Sequence, residues 1–261
     1  MSFERRQLGR GGSALVPTTL ERAGFLVAFT ERTGGASSGP FDSLNLSQVM
    51  GDHPDSVRRN RRAVVEGLGL GGAFALPEQV HGPRVARVDA SMGGAGFDDP
   101  TARVPAADGL VTVGPGIPLA VLTADCMAVA MAHPATETFA VVHAGWRGLA
   151  AGILAVAAAE FEEPSGVLVA IGPAIGPDHY EVGDEVIVQL RAASGAAVVA
   201  VRTNGRFLLD LPSTAVAILR SLGIDQVEVA GACTACHPER FYSHRRDGVR
   251  TGRQALVAVR R

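Results

Sequence analysis

LAVLTADCMAVAMA (119–132), followed after a turn at His133-Pro134 by FAVVHAG (139–145), is the stretch on which the fold reading rests. Both runs are short, almost wholly apolar and rich in Val and Ala, which suits strands buried on both faces. The pair reads as two buried strands joined by a turn. Chemistry is embedded in them: Asp125 and Cys126 lie inside the first run, and His143 lies near the end of the second. A polar group in such surroundings costs free energy unless something pairs with it.

Runs of the same kind recur outward from this centre. FLVAF (25–29), VARVD (85–89), GLVTV (109–113), VLVAIGP (167–173), QVEVAG (226–231) and ALVAV (255–259) read as strands, and AVVAV (197–201) is ambiguous. Helical patterns lie between them. Pro54 opens PDSVRRNRRAVVEGLG, with Val57, Arg61, Val64, Val65 and Leu68 at helical spacing and Gly67 and Gly69 as stop signals. LAAGILAVAAAEF (149–161) has helix composition, and further helices are expected over 180–190 and 211–222. SMGGAGFDDPTARVPAADG (91–109) carries Gly, Pro and Asp without a period and reads as a loop. This alternation predicts a layered α/β architecture. With no internal repeat and no linker, one domain spanning 1–261 is expected.

Composition excludes several classes. All the basic residues are Arg, so no Lys can form a Schiff base, hold pyridoxal phosphate or serve a P-loop. The net charge of −2 is spread without blocks, giving no reason to expect a nucleic acid or an anionic membrane as partner. Arg58, Arg59, Arg61 and Arg62 cluster, but Asp52, Asp55 and Glu66 flank them, and the group reads as a solvated helix face. The N-terminus has no apolar stretch long enough for a signal peptide, and the longest apolar run, 149–159, is too short to span a bilayer. A cytoplasmic location is therefore expected, with the three cysteines reduced. In that setting cysteines serve as metal ligands or reactive groups more often than as disulfide partners.

His81, between Gln79-Val80 and Gly82-Pro83, joins Cys126 and His143 as a candidate ligand. A metal would pair all three, and two His with one Cys leave a fourth tetrahedral position open, as in catalytic zinc sites. The plain alternative stands beside it. A lone Cys in an apolar run is usually a small core residue, a lone His before a Gly turn is usually structural, and no spacing rule links the three. HAGWRG (143–148) sits between a strand and a helix, where free N–H groups and Arg147 suit an anion. It reads equally as a tight turn with Gly145 at positive φ. Cys233-Thr234-Ala235-Cys236-His237 matches the C-x-x-C-H pattern of c-type haem attachment. Haem attachment needs export and a second axial ligand, and a closed zinc site would need further ligands, so the match reads as accidental.

Taken in order, TERTGGASSGPFDSLNLSQVMGDHPDSVRRNR (30–61), EQVHG, DGLVT, TADC, VHAGWRG, IGPAIGPDHYEVGDEV, CT and FYSHRRDGVRTGRQ resemble the blocks of the YfiH-like family. That family has been labelled a multicopper polyphenol oxidase or laccase domain and is associated with purine nucleoside phosphorylase and adenosine deaminase activity. The resemblance runs from about residue 25 to the C-terminus and leaves 1–24 as an N-terminal extension that need not be ordered. It implies a layered α/β sandwich with mixed β-sheets and a zinc held by His81, Cys126 and His143. It also implies phosphorolysis of adenosine, inosine and 5′-methylthioadenosine, and deamination of adenosine. Departures are few. Met127-Ala128 stand where the family has a Pro two residues after the Cys, GGAS replaces GGVS at 34–37, and Cys236 is outside the family pattern.

On this reading the small-molecule partners are purine nucleosides and phosphate, and the protein is a monomer or a homodimer. Asp125 and Arg147 are candidate catalytic groups beside Cys126, with Asp125 either a proton shuttle or a structural acceptor. Arg32, Asn45, Arg147, Arg245 and Arg246 are the candidate substrate contacts. Two rivals remain. Copper (Cu2+) would serve a laccase-like polyphenol oxidase, but such enzymes need about ten His ligands, and this chain has seven His. A cysteine hydrolase would use Cys126 as nucleophile and His143 as base.

Overall fold

The protein is described from a computed structural model covering residues 3–9, 11–194 and 198–261. In chain order the N-terminal part forms β1 (Phe3–Gln7), β2 (Ser13–Pro17), α1 (Thr18–Arg22), β3 (Phe25–Thr30) and α2 (Pro54–Leu68). The central part forms β4 (Val85–Arg87), β5 (Gly109–Val113), β6 (Leu119–Thr123), β7 (Met127–His133), β8 (Thr138–Ala144), α3 (Trp146–Ala150), α4 (Ile153–Ala158) and β9 (Leu168–Ile171). Then come β10 (Glu181–Val182), α5 (Asp184–Ser194), β11 (Ala200–Thr203), β12 (Arg206–Leu209), α6 (Leu211–Ser221), β13 (Gln226–Val229), α7 (His244–Asp247) and β14 (Gln254–Arg260).

Among the described residues these strands make three sheets, ordered β1-β2-β3-β14-β6, β13-β9-β7-β8-β5-β4, and β10-β12-β11. The six-stranded sheet is mixed: β13 runs parallel to β9 and β4 to β5, while β5, β8, β7 and β9 pair antiparallel. Period-two alternation along β7 explains how the layers stack. Met127, Val129 and Met131 pack with α3, α4 and α6 residues such as Leu149, Leu154 and Leu219. Ala128, Ala130 and Ala132 face the other way, onto Val27, Phe29, Val121 and Leu256 of the five-stranded sheet. Small side chains on that row let the sheets pack close without overfilling the space between them. The far face of the five-stranded sheet, with Leu26, Leu122 and Val257, is covered by Val64 and Leu68 of α2. The order of layers is helix, sheet, sheet, helices, a single-domain α/β sandwich with mixed sheets, as expected.

Several expectations change. The run 119–132 is two strands in different sheets: β6 ends in the five-stranded sheet, β7 begins in the six-stranded one, and Ala124-Asp125-Cys126 crosses between them. Apolar periodicity cannot register such a crossing, because both halves are equally buried. The helix read over 149–161 is broken into α3 and α4 at Gly152, whose φ of +83° ends the first turn. The described residues of the stretch 1–24 are no loose extension: β1 and β2 pair with each other, and β2 adds to β3. Arg61 is not on a solvated face. It is fully buried, and its guanidinium donates to the backbone oxygens of Leu46 and Gly96, both at 2.8 Å, and of Phe97. Residue 197 of the ambiguous AVVAV run lies outside the described residues, and the strand there begins at Ala200. No helix of the described residues is long and apolar enough to cross a membrane.

Candidate metal centre and its cleft

The crossing between the two sheets creates the site. Asp125 takes φ +88°, a left-handed conformation costly for a residue with a Cβ, and it is anchored on all sides. Its carbonyl oxygen accepts from the Ile175 N–H at 2.9 Å. One carboxylate oxygen accepts from the Thr234 hydroxyl and the other from the Arg245 N–H, both at 2.6 Å. Thus anchored, the bend delivers Cys126 beside β8, where His143 stands opposite Ala128 at the end of the inward row Phe139, Val141, His143.

Asp108 completes the arrangement. It is fully buried at the start of β5, and its carboxylate accepts from the N–H groups of Val80 (3.1 Å), His81 (2.9 Å) and Gly82 (2.7 Å). These bonds hold His81 at φ +60° and aim it at the crossing. The same carboxylate meets Nδ1 of His143 at 2.8 Å. That contact fixes the imidazole's orientation and presents Nε2 to the site, the usual arrangement behind a metal-bound histidine. The His81 and His143 rings meet edge to face, 4.8 Å between centroids. The ligand atoms of His81, Cys126 and His143 all lie within 4.8 Å of one another.

Electrostatics suit a cation. Burial alone would push the Cys126 thiol up, but the imidazoles of His143 and His81 outweigh it and hold the thiol well below its ordinary range. Burial alone would lower His143, but Cys126 and Asp108 raise it instead. A thiolate and two imidazoles with one open face are a donor set that fits a four-coordinate metal. Gly145 is required here for space and not for conformation. Its φ is −84°, against the expected positive value, but a Cβ would lie 2.8 Å from Cys126 Sγ.

The ligand atoms open onto a cleft of about 720 Å³, a size that suits a small-molecule substrate. Gln79, Glu78, Asp125, Trp146, Tyr180, His244 and four arginines line it: Arg103, Arg147, Arg245 and Arg253. Arg147 stacks over Trp146 at 4.5 Å, and its N–H groups have no protein acceptor among the described residues. Nε and Nη2 of Arg103 are buried without a partner. Arg245 lies over Tyr180, and one Nη reaches the carbonyls of His179 and Glu181 at 3.1 Å.

Residues 26–261 match the family described as multi-copper polyphenol oxidoreductase laccase. Similarity extends to curated relatives along nearly the whole length. A purine nucleoside phosphorylase of Xylella fastidiosa (strain 9a5c) is 42% identical over 246 residues, 90% of this chain and 92% of that protein. The purine nucleoside phosphorylase YfiH of Escherichia coli (strain K12) is 36% identical, over 92% of this chain and 96% of that protein. This chain belongs to the YfiH-like laccase-domain family. Its backbone follows that of a solved relative, the crystal structure of YlmD from Geobacillus stearothermophilus, with a TM-score of 0.91 and 35% identity over 100% of both chains.

Within this YfiH-like fold the structure sorts the candidate residues. His81, Cys126 and His143 converge, and Asp125, Arg147 and Arg245 line the same cleft. Arg32, Asn45 and Arg246 are not among its lining residues. Arg32 donates to the carbonyls of Asp42 and Pro238 and stacks on Tyr242. Asn45 is buried, donating to Asp52 and accepting from the N–H groups of Ser47 and Arg253. Arg246 donates to Asp247 and to the carbonyls of Thr234 and Phe241. Their polar groups are bonded within the protein. Asp108, Arg103 and Arg253 escaped the sequence reading. Asp108 opens a quoted block, DGLVT, but nothing local marks it as the partner of His81 and His143. Arg103 sits in the loop without period.

The C-x-x-C-H match also changes meaning. His179, from a segment about 55 residues away, brings its ligand atom within 4.8 Å of Cys233 and Cys236. A histidine that the sequence did not place there stands beside the cysteine pair.

Proposed function

We propose that this chain is a zinc-dependent purine nucleoside phosphorylase acting on adenosine, inosine and 5′-methylthioadenosine, with adenosine deaminase activity. The observation that carries the reading is the His81–Cys126–His143 cluster at the wall of a cleft that also presents arginines without protein partners. The names of the relatives support the substrate class. When bound there, zinc supplies a Lewis acid and lowers the pKa of a coordinated water toward about 7.

Phosphorolysis joins a phosphate oxygen to C1′ of the ribose while the C1′–N9 bond breaks and its electron pair leaves with the purine. The protein must hold a multiply charged anion and stabilise the departing base. Stacking on Trp146 orients Arg147 and leaves its N–H edge free for the phosphate. Arg103 and Arg253 add positive charge on the same cleft. Burial, above all, keeps the Tyr180 phenol protonated as a neutral donor. Asp125 is committed through both carboxylate oxygens and positions Arg245 and the Cys126 bend. A proton shuttle is thus better sought at His244, which faces the cleft.

A second reading, a cysteine hydrolase, is favoured by one observation: Cys126 and His143 form a pair with a depressed thiol and a raised imidazole. Incubating the purified protein with adenosine, with and without phosphate, separates the cases. Phosphate-dependent adenine and ribose 1-phosphate support phosphorolysis, and inosine supports deamination. If neither forms with the zinc-loaded chain, the proposal fails. Phosphate-independent adenine from metal-free protein would favour the hydrolase, and oxygen-dependent oxidation of a polyphenol by copper-loaded protein would favour the laccase reading.

A further inference from the structure

The second cluster lies outside the cleft, where the turn after β13 meets the segment before β10. An isolated bridge pairs Ala174 with Cys233, and backbone bonds run from Ala174 N to Ala232 O and from Thr234 N to Ala174 O. On this frame Cys233 is half-buried, Cys236 is exposed, and both are free thiols. The Gly176 N–H donates to Cys233 Sγ at 3.2 Å. Little room is spare there, since a Cβ at Gly176 would lie 3.3 Å from that sulfur. His179 ends the short helical turn Pro177–His179. The Cys236 thiol is raised chiefly by its hydrogen bond with Cys233, with the Asp178 carboxylate a smaller contributor.

We infer that Cys233, Cys236 and His179 form a second metal site, independent of the first, that takes a thiophilic d10 cation of the zinc type. The spacing is that of half a zinc knuckle, two cysteines separated by two residues, with the histidine supplied by another segment. Bond lengths of about 2.3 Å to sulfur and 2.0–2.1 Å to nitrogen place ligand atoms about 3.5–3.8 Å apart on a tetrahedral ion. The three ligand atoms already lie within 4.8 Å of one another, and two of the side chains are exposed and able to close the remainder by rotation. Water or Asp178 would complete the shell.

Position gives the site its consequence. Thr234, next to Cys233, holds the Asp125 carboxylate, and Tyr180, next to His179, lines the cleft. A cation there ties together two segments that each carry part of the cleft wall. Because two of its three residues, Cys236 and His179, are exposed, against His81 alone in the first cluster, this ion exchanges more readily than one held there.

The test uses the full chain, metal-depleted and kept under a phosphine reductant so that no disulfide forms. The Cys126→Ser variant removes the thiolate of the first cluster, and Cd2+ alone is the probe. One equivalent should bind with the ultraviolet sulfur-to-metal absorbance of two thiolates. Cys126→Ser/Cys236→Ser should show at most half that absorbance and at least tenfold weaker binding, and Cys126→Ser/His179→Ala should keep the absorbance but bind more weakly. Wild-type protein dialysed against low zinc should carry about two ions per chain, and Cys236→Ser about one. No Cd2+ uptake by Cys126→Ser, or uptake unchanged by loss of Cys236, overturns the site. Cys236 and His179 are exposed, so a folding defect would not mimic these results, and circular dichroism checks this directly.

Discussion

Asp108 and Arg147 are two residues whose roles separate cleanly. Asp108 is not among the residues that line the cleft, yet it binds three backbone N–H groups of the His81 loop and Nδ1 of His143. Asp108→Asn keeps the shape but loses the charge that orients both histidines. Metal affinity should fall by about ten- to hundredfold, the usual effect of losing such an outer partner, as read by competition with a zinc chelator. Arg147 sits in the cleft with unpartnered donors. Arg147→Gln should lower phosphorolysis by about ten- to hundredfold, the equivalent of one charged hydrogen bond of about 1.5–3 kcal/mol. Deamination needs no phosphate and should suffer less, with zinc content unchanged. Equal loss of both rates would make Arg147 a brace.

At the scale of elements, the N-terminal hairpin and the C-terminal segment meet at Glu31, just beyond β3. Its carboxylate is fully buried, and it accepts from Arg5 at 2.7 Å, Ser13 at 2.9 Å and Arg240 at 2.6 Å. Burial opposes the charged form, but these partners outweigh it and hold the carboxyl below its ordinary value. A depressed folded pKa means that the stabilisation is fully present above the unfolded value of about 4.3 and is lost as pH falls through the folded value. Glu31→Gln should cost about 2–3 kcal/mol at pH 7, less than a wholly buried pair because Arg5 is half exposed. In urea titrations the gap between wild type and variant should narrow steadily below pH 5. A gap that does not change with pH would show that the charge is not what holds the hairpin. Truncating β1 would break the same knot, which is why Phe3–Gln7 belongs to the fold and not to a tail.

Across the whole molecule, the candidate metal site and the core are separable. The two sheets bury continuous apolar rows that owe nothing to the ligands, so chelation should abolish turnover and leave the far-ultraviolet circular dichroism intact. Thermal stability should still drop, because a ligand that binds only the native state adds about 2.7 kcal/mol at one hundred times its Kd. Restoring zinc should recover both activity and Tm. Unfolding on chelation would instead make the ion structural.

The order of buried strands, the layered class, the blocks that carry His81, Cys126 and His143, and the α2 pattern were all legible in the chain. Each depends on local periodicity or on blocks of residues that carry their own signature. What could not be read was where one apolar run passes from one sheet to the next, since Leu119–Thr123 and Met127–His133 are equally buried and differ only in which neighbours they pair with. The burial of Arg61, the internal hydrogen-bond partners of Arg32, Asn45 and Arg246, and the meeting of His179 with Cys233 and Cys236 were hidden for the same reason. Hydrogen-bond partners and ligand sets are properties of distances between segments, and only the folded chain sets those distances.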